Sequence, residues 1–185
     1  MYFRRGFTLI ELLVTMAIVS ILVSIVYVSF GDSRDNSRNR AMMVELKEVQ
    51  LALETYQAQN GSYPIPDTSC RTTSGGDLVA TEGSCGNLYI SEIVPELIDE
   101  LPLGSDSANA SCSMEYRTDP EGNWYKLTAI NCLGGVNEVT GISQNEPLAR
   151  CSTACTNNSN GDTCYEGDAD YYASFAVYSL GGQCE

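Results

Sequence analysis

The chain has 185 residues, 24 acidic against 10 basic for a net charge of −14, eight cysteines and no histidine. That length suffices for one domain plus an anchor. The acidic balance argues against nucleic-acid binding by the monomer. Without histidine the common nucleophile–base sets are absent, and no serine or carboxylate sits in a catalytic motif, so an enzyme is not expected.

Residues 1–6 form a short leader with Arg4 and Arg5 as its charges. From Phe7 to Phe30 the chain runs FTLIELLVTMAIVSILVSIVYVSF, 24 residues without Gly or Pro and with Glu11 as the one charge. As a helix this run is about 36 Å long, enough to cross roughly 30 Å of bilayer hydrocarbon. An ordinary secretory signal has a shorter apolar core and a small-residue cleavage site after it, whereas this run ends Val28-Ser29-Phe30. A lone carboxylate in such a span costs about 2.5–3.5 kcal/mol on insertion scales unless something offsets it. Thr8-x-x-Glu11 offers a local answer, a capping box that satisfies free N–H groups at the helix start.

Arg5-Gly6-Phe7-Thr8-Leu9-Ile10-Glu11-Leu12 resembles the leader of bacterial type IV pilins and their pseudopilin relatives. The resemblance implies cleavage between Gly6 and Phe7 by a prepilin peptidase and N-methylation of Phe7. It also implies an assembly role for Glu11, which can meet the new Phe7 amine of a neighbouring copy when helices pack side by side. That pairing would relieve two unmatched charges in an apolar bundle, and it is compatible with the cap, which uses one carboxylate oxygen.

Gly31-Asp32-Ser33 reads as a soft point where the helix bends or briefly unwinds. Helical spacing then resumes: Met42, Leu46, Val49, Leu53 and Tyr56 form one apolar stripe, with Glu45, Lys47, Glu48 and Glu54 between them. The stripe needs a sheet or another partner to cover it. Gly61 and Pro64 end the helix, and Asn60-Gly61-Ser62-Tyr63-Pro64 is similar to the break after the long helix of pilins. Residues 65–87, polar and glycine-containing, read as a loop stapled by Cys70 and Cys85. Val94 to Leu101 reads as a short helix with Pro95 in its first turn and Pro102 stopping it.

Cys112 to Arg117, a turn through Asp119-Pro120-Glu121-Gly122, and Trp124 to Ile130 read as a β-hairpin. Cys112 and Cys132 lie near its open end and are paired on that ground. Residues 133–170 read as irregular loops, and Tyr171 to Leu180 as a final strand. Cys184 ties the C-terminus to Cys151, Cys155 or Cys164, and the spacing does not choose among the three pairings of these four.

All eight cysteines (Cys70, Cys85, Cys112, Cys132, Cys151, Cys155, Cys164 and Cys184) follow residue 60, as four disulfides in an oxidising space would. Zinc would want several close C-x2–4-C pairs, and only Cys151 and Cys155 are so spaced. The cysteines also place the C-terminal part outside the cytoplasm. Basic-residue counting does not, since Arg34, Arg38 and Arg40 follow the span as Arg4 and Arg5 precede it. Asn158-Ser159-Asn160-Gly161-Asp162 and Asp168-Ala169-Asp170 offer oxygen ligands, but their spacing fails the EF-hand pattern. Calcium in these C-terminal loops, which some pseudopilins bind similarly, is the one candidate metal; otherwise no cofactor is expected. The eleven tyrosines suit strand packing better than an adhesive surface.

The expected fold is α+β and type IV pilin-like. It comprises a leader (1–6), a membrane-spanning or filament-core helix (7–30), an amphipathic helix (31–60), and a head (61–185) built as a small antiparallel sheet with disulfide-stapled loops. The expected function is a structural subunit of a type IV pilus or pilus-like filament. It would be stored in the bacterial inner membrane as a single-pass precursor and then polymerised, extracellularly or in the periplasm, into a helical homopolymer. Its partners would be other copies of itself, the prepilin peptidase, the assembly machinery and inner-membrane lipid. A type II secretion-type pseudopilin and a monomeric membrane-anchored extracytoplasmic binding domain are the alternatives.

Overall fold

The computed structural model describes residues 7–136, 140–155, 164, 165, 167, 168 and 170–185, with the side chains of residues 25–32 excluded. One helix dominates: α1 runs Leu9–Asn60, 52 residues, or about 78 Å. It continues through Gly31 and Asp32, so the helix does not unwind at the expected soft point; one glycine costs only about 1 kcal/mol in a helix, and helical residues on both sides hold it. The helix stops where the sequence says. Gly61 caps it at φ 84° and donates its N–H to the Gln57 carbonyl at 2.7 Å, a left-handed position that suits glycine.

Five strands follow as an antiparallel meander in the order β1-β2-β3-β4-β5: β1 Thr72–Ser74, β2 Asp77–Thr81, β3 Ser113–Thr118, β4 Tyr125–Ile130 and β5 Phe175–Tyr178. The expected hairpin is β3–β4, with Tyr116 opposite Leu127 and Thr118 opposite Tyr125. Its neighbour β1–β2 lies where a loop was expected. Gly75 and Gly76 turn it with φ of 65° and 106°, the double positive-φ geometry that two-residue hairpin turns require. The final strand is shorter than expected, with a 3-10 turn at Tyr171–Ala173 ahead of it.

No helix forms over Val94 to Leu101. A 3-10 turn at Ser91–Ile93 leads into turns, with Leu97 and Ile98 both donating to the Ile93 carbonyl. Six residues between two prolines cannot sustain the nucleation cost of a helix. Ile93 and Leu101 still reach the core, so the apolar positions are used without the helix. A four-residue helix, α2 Glu82–Cys85, is capped by Thr81.

The core lies between the lower part of α1 and one face of the sheet. Met42, Leu46, Val49, Ala52 and Leu53 are buried against Met114, Tyr116, Tyr125, Leu127, Ala129, Phe175 and Val177. Burying one such side chain stabilises by about 1.5–3 kcal/mol. Polar contacts fix the docking. Tyr63 and Tyr125 stack edge-on at 4.6 Å between centroids and donate to the two oxygens of Glu54 at 3.0 and 3.3 Å. At the upper end Asn39, buried and one turn before Met42, donates to the Gly134 carbonyl and accepts from the Gly134 N–H, both at 3.1 Å.

Four disulfides staple the head: Cys70–Cys85, Cys112–Cys132, Cys151–Cys164 and Cys155–Cys184. The last two, with residues 149–155 and the C-terminus, cover the sheet face opposite α1. Under that cover sits Lys126, nearly inaccessible. Its ammonium donates to the backbone oxygen of Glu185 and lies 3.3 Å from Cys151 Sγ.

Candidate assembly site at the helix start

The first turn of α1 is built as a capping box. Thr8 has extended backbone, φ −79° and ψ 151°, and its Oγ1 accepts the Glu11 N–H at 3.3 Å. Glu11 answers with a single oxygen: Oε2 accepts the Thr8 N–H at 2.9 Å and the Thr8 hydroxyl at 2.7 Å. Among the described residues nothing donates to Oε1. The cap therefore orients the carboxylate and leaves half of it open.

Around this group the helix surface is apolar and uncovered. Phe7 is 86% exposed, Ile10 70% and Leu13 62%, and large apolar side chains stay more than half or about half exposed on all sides of α1 down to Val23. The polar side chains in the run are turned inward to the backbone. Thr15 donates to the Leu12 carbonyl, Ser20 to Met16 and Ser24 to Ile21, at 2.7–2.9 Å. Such back-bonding lets hydroxyl side chains sit in an apolar medium without an unmet donor. Among the described residues no helix is long and apolar enough to cross a membrane. The uncovered apolar surface described here, from Phe7 to Val23, is part of the longer run that the sequence continues to Phe30.

A family model described as the prokaryotic N-terminal methylation motif matches residues 1–27. The chain carries a prepilin-type methylation motif. Phe7, Thr8 and Glu11 all fall within this motif, while the head lies wholly outside it. Three curated relatives are similar, all named type II secretion system core protein G. That of Klebsiella michiganensis is 31% identical over 64 residues, 35% of this chain and 45% of the relative. That of Pectobacterium carotovorum is 29% identical over 63 residues, 34% and 40%. That of Klebsiella pneumoniae is 30% identical over 64 residues, 35% and 46%. The chain thus spans less than half the length of the curated relatives it matches. No solved structure matches it. The likeness to these proteins thus rests on the methylation motif and on about a third of the chain.

Gly6 and the rest of the leader lie outside the described residues, as do Asn158 to Asp162 and Ala169 of the calcium candidate. Among the described residues no group of His, Cys, Asp or Glu is arranged to hold a metal ion. Each described cysteine is in a disulfide, which leaves no thiolate for zinc. Residues that the motif does not reach were harder to see in advance. Asn39, which joins α1 to the head, was signalled only by falling three residues before Met42 on the apolar stripe.

Proposed function

We propose that the chain is made as a membrane-held precursor, cut between Gly6 and Phe7, N-methylated at Phe7, and polymerised through α1 into a pilus-like filament. The observation that carries this reading is the bare apolar surface of α1 around a half-satisfied Glu11. That surface suits two media in turn, lipid before assembly and neighbouring helices after it. Cleavage beside Gly6 creates a positive amine at Phe7, and the open Oε1 of Glu11 on a neighbouring copy can accept it. A simple anchor would use that carboxylate only as a helix cap. The disulfide-bonded head would lie on the filament surface, on the non-cytoplasmic side of the inner membrane.

Mass spectrometry of the protein from its native membrane tests the processing: the mature chain is expected to begin with methylated Phe7, and an intact Met1 would overturn it. Glu11→Ala tests the assembly role. The variant is expected to stay in the membrane and to lose filaments; normal filaments from it would sink the role of Glu11.

A second reading, a secretion-type pseudopilin, is favoured by the names of the relatives, while the eight cysteines and long loops favour a head exposed outside the cell. Deleting the chain separates the two. Loss of protein secretion with no surface filament in the parent strain supports the pseudopilin, and surface filaments that contain the subunit support the pilus.

A further inference from the structure

The lower part of α1 has a second uncovered face. Arg40, Val44, Lys47 and Leu51 follow at spacings of 4, 3 and 4, so they share one stripe of the helix. All four are exposed, Val44 by 55% and Leu51 by 69%. The core-facing stripe of Met42, Leu46, Val49 and Leu53 lies on a different side. Among the described residues neither Arg40 nor Lys47 has an ion-pair partner.

The complementary surface is on the same chain. Glu45 and Glu48 of α1, with Asp99, Glu100 and Asp106, line a cleft of about 530 Å³ whose remaining wall is apolar, including Ile98 and Leu101. None of these carboxylates has a cationic partner among the described residues. Their mutual repulsion shows at Glu45, whose carboxyl is held above its ordinary range by partial burial, then by Asp106, Glu48 and Glu100. Cations and aliphatics alternate on one surface; carboxylates border an apolar wall on the other.

We infer that the stripe Arg40-Val44-Lys47-Leu51 of one copy docks into the acidic cleft beside α1 of a second copy. This rests on the filament reading above, and the complementary charge of the two surfaces carries it.

Charge reversal tests this in the full chain in cells. Arg40→Glu with Lys47→Glu is expected to lower filament yield by about tenfold through like-charge contact. Glu45→Lys with Glu48→Lys is expected to do the same. All four changes in one chain should restore filaments, and so should co-expression of the two double variants, since each offers the surface the other needs. Membrane level, non-reducing mobility and the mature N-terminus report folding and processing independently. Two poor double variants that neither the four-change chain nor co-expression rescues would overturn the docking inference, as would a double variant that assembles normally. If Glu11→Ala abolishes filaments while every charge reversal is silent, only this inference falls; if the unmodified chain forms no filament, the filament reading falls with it.

Discussion

Replacing Lys126 with methionine should change how the stability of the head depends on pH. Burial lowers the Lys126 ammonium to about 7, with Arg150 and Arg117 pushing the same way and Glu115 and Glu185 opposing them. Unfolded, the same group titrates near 10.4. Between these values the unfolded chain holds the proton and the folded chain does not. Stability therefore rises with pH through this window, by at most about 1.4 kcal/mol per pH unit. Half-protonation of the folded form near pH 7 softens the start, so the rise from pH 7 to pH 9 comes to about 2 kcal/mol. Methionine fills similar volume without a proton to lose. The stability of the unmodified chain relative to Lys126→Met should therefore increase by about 2 kcal/mol over that range. Tyr89, Tyr116 and Tyr125, whose hydroxyls burial pushes up, erode stability only as pH rises through the ordinary tyrosine range near 10, and they cancel between the two proteins. Urea unfolding of the detergent-solubilised full chain with its disulfides intact is the assay, followed by fluorescence of the single tryptophan, Trp124. Parallel pH profiles for the two proteins would refute the account, because they would mean that Lys126 is as free to hold its proton folded as unfolded.

The join between α1 and the head gives a second prediction. Asn39→Ala removes both hydrogen bonds to Gly134 and leaves the N–H and C=O of that residue to find other partners, at a cost of about 1–3 kcal/mol; the same urea titration measures it, and an unchanged midpoint would show that the clamp contributes nothing. The staples give a third. Alkylation of the denatured, unreduced protein should label no described cysteine, and peptide mapping should recover Cys151 joined to Cys164 and Cys155 joined to Cys184; Cys151 joined to Cys155 instead would mean a different cover over the sheet.

Periodicity made the long elements legible. The spacing of Met42, Leu46, Val49 and Leu53 placed the buried face of α1, and the alternation of Tyr125, Leu127 and Ala129 against a turn at Asp119 to Gly122 gave β3–β4. Where periodicity was weak, other signals competed. Thr72-Thr73-Ser74 has no apolar residue, so the first strand looked like loop; the Gly75-Gly76 pair was the overlooked hairpin signal. Val94, Leu97, Ile98 and Leu101 had helical spacing, but the prolines at either end left too few residues to carry it. Lys126 illustrates a different limit. Its place in the alternation puts it on the outer face of β4, where solvent would be the natural neighbour. It is buried because two disulfides bring residues 149–155 and the C-terminus over that face, and no local pattern encodes a cover made of distant loops. At the helix start, Thr8 and Glu11 are three residues apart, so their capping box was readable from the sequence.

In the proposed assembly, Asn39 is where α1 passes from bare surface to contact with the head. Above Asn39 the described side chains of α1 are exposed apart from Asp35, which is half-buried beside Gly135: the apolar ones from Phe7 to Val23 are exposed, and so are Arg34 and Arg38. Below it the head covers one stripe and leaves another, Arg40 to Leu51, bare. Both bare surfaces lie on one unbroken helix, so a neighbour cannot slide along one without sliding along the other. In the proposed filament a continuous α1 would therefore tie the axial position of the pairing at Glu11 to that of the charges at Glu45 and Glu48. An insertion of one residue between Ser24 and Ser33 would break that tie, turning the lower stripe by about 100° and moving it about 1.5 Å along the axis relative to the upper one. A filament that tolerates such an insertion must bend or melt α1 in that interval; one that does not is held together by the helix as a single ruler.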